Sequence, residues 1–459
     1  MSLTVGKPES GDRVTQVISE GIRGRLLPPH LELVPQLNEL YELELAFAES
    51  QLLSDEQLVR NGAYFARVGD TLTRHFLLCS GEPMRLPQHS SSRLRSFFHT
   101  NQFKTGYATH GLFPYRGKFH PQMIKGLMNA MGLLPGDTVL DPMMGSGTVL
   151  IEATLMGIRS IGIDASPFCE FMAQAKLDAL TVPLEPVREA LESYQSVFAH
   201  FRDLAGKSAS GALGGHSYWH ADLFSRSEQP DGTSASSAPL PDQTTPEVYR
   251  FLLLAYLDSA GYSLRSDRQP PLVQFRAILE RYLFVAEKAQ RVLNGMQSDL
   301  AESVPMAGDA RHLALPDSSI DGIIFSPPYS FAIDYLDNDA PHLRFLGTDL
   351  DELRQRMVGL RGGSPRQKYE LYLSDMERVL AECARVLRQG RICTIVVGTN
   401  NNQLARILGQ APERVQGIDE ILVDLASRPG LRPIRKLSRQ ITGMANTMRT
   451  EFIVFLQRT

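Results

Sequence analysis

The 459-residue chain has no run of about 18 consecutive apolar residues, so its sequence predicts no membrane-spanning helix. Its four cysteines are widely spaced and form no Cys-x-x-Cys pair, which excludes a disulfide framework and argues against a zinc site. The polar N-terminus "MSLTVGKPESGDRVTQ" lacks the apolar core of a secretory signal. We therefore expect a cytoplasmic protein with reduced thiols and no metal site.

Acidic residues are absent from three stretches of a chain whose net charge is −4. Residues 83–136, 354–369 and 425–450 contain no Asp or Glu, although each stretch contains several Lys or Arg residues. If folding brings the stretches together, they form a positive face that binds phosphates, with Arg361 and Arg366 among its members. The alternative is that each stretch is ordinary solvated surface.

Short apolar runs alternate with helical patterns along much of the chain. The runs that predict strands are "DTVLDP" (137–142), "SIGID" (160–164), "IDGIIF" (320–325), "RICTIVVG" (391–398) and "EFIVFLQ" (451–457). The helical patterns between them include "GTVLIEATLMG" (147–157), "SPFCEFMAQAKLDAL" (166–180) and "YELYLSDMERVLAECARVLRQ" (369–389). This alternation predicts an α/β fold with a doubly wound, mostly parallel sheet, whose last strand is a candidate for antiparallel pairing.

Composition divides the chain into three parts. Residues 1–100 combine a helical pattern with a hairpin pattern and are predicted to form an N-terminal accessory α+β domain. Residues 101–180 and 301–459 hold the alternating α/β pattern. Residues 181–300 are predicted to be an insertion of helices and loops, in which 203–247 is rich in Gly, Ser, Pro and Ala and is predicted to be a flexible loop.

A glycine-rich turn, "DPMMGSGT" (141–148), joins the first predicted strand to the first predicted helix. Glycines at such a turn let ligand atoms approach the backbone at the carboxyl edge of the sheet. The turn lacks the third glycine of the dinucleotide pattern Gly-x-Gly-x-x-Gly, and an acid precedes it. A carboxylate repels a phosphate but attracts a cation, so the turn favours S-adenosylmethionine, which carries a sulfonium and an ammonium group, over NAD. The candidate cofactor residues here are Asp141, Pro142, Gly145, Ser146, Gly147 and Thr148.

Acidic residues also follow the second and third predicted strands. Asp164 ends the second strand and, with Ala165, lies about twenty residues beyond the turn, the spacing of an acid that binds both hydroxyls of a ribose. The segment "AGDARHL" (307–313) is predicted to be the end of a third strand, before "IDGIIF". Its Asp309 is a candidate to bind the adenine amine, with Ala310 against the ring. The alternative role for both acids is to cap the following helix.

The tetrapeptide "SPPY" (326–329) follows the fourth predicted strand, and its two prolines end that strand. A simple turn is one interpretation, and a rigid catalytic site for a base is the other. In the second, the Ser326 hydroxyl and the Pro327 carbonyl accept hydrogen bonds from an exocyclic amine and restore its nucleophilic lone pair. Pro328 keeps this turn rigid, and Tyr329 stacks on a base that has left its helix. The chain has no Pro-Cys dipeptide to supply the thiolate that attack on a ring carbon requires.

With these motifs the chain resembles the S-adenosylmethionine-dependent amino-methyltransferases of DNA, in which DPF-x-GSGT is the cofactor loop and S/N/D-PP-Y/F/W is the catalytic motif. The segment "THGLFPYRGKFHPQM" (109–123) is similar to a further cofactor element of that family, HxYPAKFxPQ, although Arg116-Gly117 replaces Pro-Ala, and Met143 replaces the Phe of the loop. The resemblance covers residues 101–180 and 300–459 and implies a Rossmann-like methyltransferase sheet. It also implies that the cofactor contacts Lys118, Phe119, His120, Pro121 and Ser326.

The serine that begins the tetrapeptide resembles the branch of the family that methylates cytosine N4. The resemblance therefore implies a site-specific DNA methyltransferase, typical of restriction-modification systems, with nucleic acid as its partner and no membrane. An adenine-N6 enzyme and an RNA enzyme that methylates a base amine remain alternatives, as does a methyltransferase-like protein that only binds nucleic acid. The N-terminal unit, the insertion and the region after residue 400 are each candidates for target recognition.

Overall fold

The computed structural model describes residues 26–35, 37, 39–79, 105–115, 117–209, 240, 244–265, 270–328, 335–440 and 450–459. Within these residues the chain forms a seven-stranded sheet and a three-stranded sheet. The strands are β1 (Leu31–Leu33), β2 (Phe65–Val68), β3 (Thr71–Leu72), β4 (Thr138–Asp141), β5 (Arg159–Asp164), β6 (Ser303–Ala307), β7 (Ile320–Phe325), β8 (Leu387–Gly398), β9 (Leu431–Gln440) and β10 (Thr450–Arg458).

Helices surround both sheets. They are α1 (Leu40–Leu52), α2 (Asp55–Asn61), α3 (Arg74–Cys79), α4 (Pro121–Ala130), α5 (Thr148–Met156), α6 (Pro167–Asp178), α7 (Leu184–Glu192), α8 (Tyr194–Ala209), α9 (Pro246–Arg265), α10 (Pro271–Gly295), α11 (Tyr335–Phe345), α12 (Leu350–Arg356), α13 (Pro365–Val386), α14 (Asn401–Leu408) and α15 (Ile418–Ser427), with 3-10 turns at Ala108–Gly111 and Pro412–Arg414. None of the described helices has the length and apolar character needed to cross a bilayer.

The large sheet has the strand order β6-β5-β4-β7-β8-β10-β9 and is mostly parallel. Strands β4 to β8 run parallel to one another, whereas β10 is antiparallel to both β8 and β9. The chain builds outward from β4 to β6 and then returns to the other side of β4 with β7. This reversal confirms the predicted doubly wound α/β fold, and it places a crevice between the carboxyl ends of β4 and β7, where such sheets bind ligands.

The continuous apolar run of β7 reflects its position between two layers of helices. All six of its residues are buried, because helices cover both faces of the sheet. Ile323 lies in a core with α13 and α15, whereas its neighbour Ile324 lies in the core with α4 and α5. The register pairs Leu140 of β4 with Ile323, so the turns that follow β4 and β7 begin side by side.

The N-terminal unit, residues 31–79, shares a hydrophobic core with the helices around β4. Tyr41 and Leu45 of α1 lie in the same buried cluster as Met123 and Leu127 of α4. The approach is close, because a Cβ atom on Gly126 of α4 would lie 2.6 Å from the ring of Tyr64. The unit is thus packed directly onto the helices of the large sheet.

The insertion consists of helices α7 to α10 in its described part. Helix α8 extends to Ala209, so residues 203–209 of the predicted loop are helical, and most of the remaining predicted loop lies outside the described residues. Aromatic side chains hold the helices together, with Phe201 and Phe275 each packing against Tyr256. The same buried cluster includes residues of α6 and α11, so the insertion packs against the sheet's own layer of helices.

Candidate functional site

A cleft opens at the carboxyl edge of the large sheet, beside the turns that follow β4 and β7. It encloses about 870 Å³, including the solvent at its mouth. The predicted site residues that line it are Lys118, Phe119, Pro142, Gly145, Ser146, Thr148, Asp164, Ala165, Asp309, Ala310, Ser326, Pro327 and Pro328. The fold therefore brings the glycine turn, the two strand-ending acids, the "KF" segment and the start of the tetrapeptide to one place.

Two close contacts fix the glycine turn between β4 and α5. Gly147 has a φ of +77°, and a Cβ atom there would lie 2.8 Å from the Cβ of Ala173 in α6, so this position requires glycine. The N–H of Gly145 donates to Oδ2 of Asp164 at 2.9 Å, which ties the turn to the end of β5. The turn therefore presents its backbone to the cleft in a defined geometry.

Asp164 uses both carboxylate oxygens to organise the cleft. Oδ2 accepts the Gly145 N–H, and Oδ1 accepts the N–H of Ser166 at 2.9 Å. Burial raises the pKa of Asp164, although these hydrogen bonds oppose the rise. Ser166, not Asp164, is the N-cap residue of α6, and its side chain makes no capping hydrogen bond. Asp164 also hydrogen-bonds with the Ala165 backbone and the Cys169 side chain, and the residue lines the cleft.

Asp309 is held by an arginine on the same side of the cleft. Arg311 donates to both carboxylate oxygens of Asp309, and it also donates to Oδ1 of Asp375 at 3.0 Å and to the carbonyl of Arg356 at 3.0 Å. Burial opposes ionisation, but the Arg311 hydrogen bonds and charge lower the pKa of Asp309. The next described element after Asp309 is strand β7, and no helix begins directly after this acid. The helix-capping alternative therefore does not apply to Asp309.

Asp141 does not reach the cleft, which differs from the expectation that its carboxylate faces a cationic ligand. Its side chain is fully buried, with Oδ1 accepting the Met143 N–H at 3.1 Å and Oδ2 without a hydrogen-bond partner in the described structure. Burial raises the pKa of Asp141 well above its usual range. The side chain therefore holds the turn through its bond to Met143, and it is not among the residues that line the cleft.

Three other predicted cofactor residues also lie behind the wall of the cleft. His120 is the N-cap residue of α4, and Pro121 is its first residue, so both serve to start the helix. Burial lowers the pKa of His120 to about 4. Gly147 ends the turn against α6, as described above. The predicted catalytic residue Tyr329 lies outside the described residues.

Lys118 and Phe119 form one side of the cleft. The Lys118 ammonium donates to the carbonyl of Thr105 at 2.8 Å and to that of His110 at 2.9 Å. Burial lowers the pKa of Lys118 to about 8. Since its ammonium already binds these backbone carbonyls, Lys118 ties Thr105 and His110 to this side of the cleft and presents mainly its side-chain stem to the cleft.

A buried carboxylate that the sequence did not single out, Glu152 of α5, anchors this segment. It accepts hydrogen bonds from the Tyr107 hydroxyl at 2.6 Å and from Nε2 of His110 at 2.7 Å, and Lys125 Nζ lies 3.3 Å away. Burial favours protonation of Glu152, but Lys125 and the hydrogen bonds lower its pKa to about 2. Burial lowers the pKa of His110 to about 4, so His110 is a neutral donor at pH 7.

Several residues of the cleft were not predicted. Tyr115 and Gly117 belong to the quoted cofactor element, so their position in the sequence was a signal, and Met143 and Met144 lie inside the glycine turn. Gly308 directly precedes Asp309. Arg356, Met357 and Val358 come from the end of α12, and the only sequence signal there was the acid-free stretch that contains Arg356.

Comparisons with known proteins agree with this site. Residues 112–199 match the UPF0020 family, described as an RMKL-like methyltransferase domain. The type II methyltransferase M.BsoBI of Geobacillus stearothermophilus is 24% identical over 299 residues, which are 55% of this chain and 56% of that protein. M.MjaII of Methanocaldococcus jannaschii, also a type II methyltransferase, is 48% identical over 68 residues, 15% of this chain and 13% of its own.

A tRNA (guanine(10)-N2)-dimethyltransferase of Methanothermobacter thermautotrophicus is 44% identical over 52 residues, 11% of this chain and 16% of its own length. The chain thus spans little more than half of the length of M.BsoBI and less than a fifth of the length of the other two relatives.

The sheet and the cleft have a Rossmann-like arrangement, and residues 112–199 within it match a methyltransferase domain model. The relatives confirm the more particular resemblance, to the family of amino-methyltransferases that includes type II DNA methyltransferases.

Proposed function

We propose that the protein transfers a methyl group to an exocyclic amine of a nucleobase, and that its substrate is cytosine N4 in DNA. The observation that carries the proposal is that Ser326 and Pro327 line the same cleft as Gly145 and Asp164. Two acceptors for an amine are therefore next to the candidate cofactor site, at the point where the strand order reverses. The short Ser-Pro-Pro turn keeps these acceptors rigid.

The walls of the cleft fit S-adenosylmethionine, which supplies the methyl group from its sulfonium. We assign Asp164, which lines the cleft, to the two ribose hydroxyls, and the glycine turn lets the ligand approach its backbone. Asp309 is oriented by Arg311 and is placed to accept from the adenine amine, with Ala310 beside the ring. We assign Ser146 and Thr148 to the methionine end, because they follow Gly145 in the same wall.

The chain's own groups prepare the amine for in-line transfer. The Ser326 hydroxyl and the Pro327 carbonyl accept hydrogen bonds from the amine, which draw its nitrogen toward sp³ geometry and free its lone pair. Tyr329 stacks on the base after it leaves its helix. The transfer then depends mainly on proximity and orientation, and the chain forms no covalent intermediate.

Two other substrates have support. The tRNA methyltransferase relative favours an RNA base amine, and the same acceptors suit adenine N6. A protein that only binds nucleic acid remains the non-enzymatic alternative. A substrate in DNA or RNA, together with four free cysteines, also fits the expected cytoplasmic location.

Incubation with methyl-labelled cofactor and separate pools of DNA, RNA and tRNA tests the proposal, with the modified nucleoside identified by mass spectrometry. We expect N4-methylcytosine from DNA. N6-methyladenine or a methylated guanine amine would support the proposed mechanism but refute the assignment of cytosine as the target base. 5-methylcytosine would contradict the mechanism, and the absence of any methylated nucleoside would favour the binding-only alternative.

Variants of the tetrapeptide test the assigned roles. Ser326→Ala should slow methylation while cofactor affinity stays nearly unchanged, because the Pro327 carbonyl remains. Tyr329→Ala should weaken base capture and turnover by the value of a stacked base, about 1–3 kcal/mol. Ser319→Ala is the matched control, since Ser319 is a half-buried serine just before β7, at the end opposite the tetrapeptide. A fully active Tyr329→Ala variant would refute the stacking role.

A further inference from the structure

A turn at Phe113, two residues before the cleft residue Tyr115, has a strained backbone. Its strain is not accounted for by the residues next to it in the sequence. Phe113 has a φ of +52°, a left-handed conformation that bulky residues rarely adopt, and its side chain is buried. Such a conformation is strained and persists only where surrounding contacts impose it. The contacts that impose this one come from other parts of the chain.

The first contact comes from the helical insertion. The hydroxyl of Tyr282, in the middle of α10, accepts the N–H of Phe113 at 2.7 Å. The same hydroxyl donates to Oδ2 of Asp258 in α9 at 3.2 Å, and Arg281 donates to that oxygen at 2.8 Å. Tyr282 is fully buried, so without its hydroxyl the Phe113 N–H would lose a partner that water cannot replace.

The second contact fixes the ring of Phe113. It packs edge-on against Phe168 of α6, with ring centroids 5.1 Å apart, and against His342 of α11, at 5.2 Å. His342 itself stacks on Phe168 at 4.8 Å. Helix α11 is the first described element after the tetrapeptide, so the Phe113 ring lies between the cofactor side and the catalytic side of the site.

The turn at Phe113 determines where Tyr115 lies. The Tyr115 N–H donates to the Phe113 carbonyl at 2.9 Å, which closes a tight turn between them. Tyr115 lines the cleft, and a Cβ atom on Gly145 would lie 3.4 Å from its ring. The Tyr115 hydroxyl is 3.6 Å from Sγ of Cys169 in α6. Tyr115 is therefore the side chain that covers the glycine turn.

We propose that Tyr282 is a positioning residue for the cofactor cleft, through which the helical insertion holds the Phe113 turn and thereby places Tyr115 over the glycine turn. This role rests on the proposed function of the cleft. It gives the insertion a part in cofactor binding, in place of or in addition to target recognition. Residues 105–115 are accordingly a preformed wall, held by Glu152 near one end and by Tyr282 near the other.

Calorimetric titration of the full chain with S-adenosylhomocysteine tests this role. Tyr282→Phe removes only the hydroxyl, and we expect the Kd to rise about three- to tenfold, the effect of one buried hydrogen bond. Tyr256→Phe is the matched control, because Tyr256 lies in the same aromatic cluster but packs against Phe201, Phe275 and Phe345, none of which lines the cleft. We expect this control to bind with the affinity of the wild type.

Hydrogen exchange separates positioning from general destabilisation. In Tyr282→Phe, peptides that cover 107–115 should exchange faster, while those that cover α9 and α10 keep their protection. An unchanged Kd, or equal loss of protection throughout the insertion, would overturn the positioning role and leave the proposed function intact. If the wild type does not bind S-adenosylhomocysteine, the proposed function fails as well, so the two failures are distinguishable.

Discussion

Asp164 both fixes the backbone of the cleft and lines it. Its two oxygens hold the backbone of Gly145 and Ser166, and the same carboxylate faces the cleft. A residue at this position is therefore needed before any ligand arrives, because it fixes the turn on which the ligand lies. The ribose role that the sequence predicted for Asp164 stays a prediction.

Asp164→Ala should weaken the binding of S-adenosylhomocysteine by about 1–3 kcal/mol, since it removes charge-assisted hydrogen bonds to both the turn and the ligand. Calorimetric titration gives the affinity. Asp137→Ala is the matched control: Asp137 accepts the N–H of Leu134 at 3.0 Å just before β4, at the opposite edge of the sheet. Equal affinity losses in the two variants would show that the effect is one of stability.

The pair of His110 and Glu152 makes stability depend on pH. Burial holds the pKa of His110 at about 4, below its unfolded value of about 6.5. Between these values the unfolded state binds more protons than the folded state. The contribution of His110 to stability is therefore fully present above about pH 6.5 and is lost as the pH falls to about 4.

His110→Gln keeps an N–H donor for Glu152 but cannot titrate. The free energy of unfolding of the wild type should therefore fall more steeply between about pH 6.5 and 4 than that of the variant, by up to about 3 kcal/mol over the window. Urea unfolding at several pH values measures the difference. His312→Gln, at an exposed position, is the control, and a wild-type slope in His110→Gln would contradict the assignment.

At the scale of elements, the arginines of the basic stretch 354–369 are of two kinds: three are paired with acids, and Arg356 lines the cleft. Arg354 pairs with Asp337 and Arg366 with Glu370, and Arg361 pairs with the buried Asp375. Arg356 is exposed at the end of α12 and lines the cleft. The structure therefore favours Arg356, and not Arg361 or Arg366, as a phosphate contact at the mouth of the site.

Arg356→Ala should lower the affinity for a DNA duplex and reduce the slope of log K against log salt by about 1, the value of one lost phosphate contact. Its carbonyl, which accepts from Arg311, is kept in the variant. Fluorescence anisotropy over a range of KCl concentrations measures both quantities. Arg366→Ala is the control on α13. Equal slopes for Arg356→Ala and the wild type would show that Arg356 does not contact a phosphate.

In the basic stretch 425–450, of which residues 425–440 and 450 are described, acids also compensate much of the positive charge. Arg435 pairs with Glu44 of α1, Lys436 with Asp419, and Arg439 with Glu451. These pairs join β9 to the N-terminal unit and to α15. We therefore do not expect a continuous positive face from these side chains, and the phosphate contacts of the proposed complex are local to the cleft.

At the scale of the whole molecule, the N-terminal unit and the methyltransferase helices are joined by buried polar contacts. Asn61 donates to the carbonyl of Met156 at the end of α5 at 3.1 Å, and it accepts from Arg74 at 2.6 Å. Asn129 of α4 donates to Glu49 at 2.7 Å and to the Asn61 carbonyl at 2.9 Å. Because these groups are buried, they lose most of their value if the two parts separate.

Asn61→Ala should lower the free energy of unfolding by about 2–4 kcal/mol, since it leaves a buried guanidinium and a helix-end carbonyl without this partner. Urea unfolding measures the loss, with the exposed Asn402→Ala of α14 as control. Hydrogen exchange should show peptides from α1 and from α5 losing protection together. Loss confined to residues 31–79 would instead show that the N-terminal unit unfolds independently.

The sequence by itself determined the sheet and the edge at which the site lies. Each apolar run such as "IDGIIF" is too short and too continuous for anything but a buried strand between helices, and parallel strands place the turns after Asp141, Asp164 and Phe325 at one edge. For this reason Gly145, Asp164 and Ser326 could be assigned to one cleft from their spacing alone.

Tertiary structure alone decided which charged groups face the cleft and what supports it. Asp141 turned out to be buried, and Arg361 and Arg366 turned out to be paired with acids, because a side chain's exposure and partners depend on packing between distant segments. The contact of Tyr282 with Phe113 joins residues 169 positions apart. No local spacing encodes such a contact, since it depends on how the insertion packs against α6 and α11.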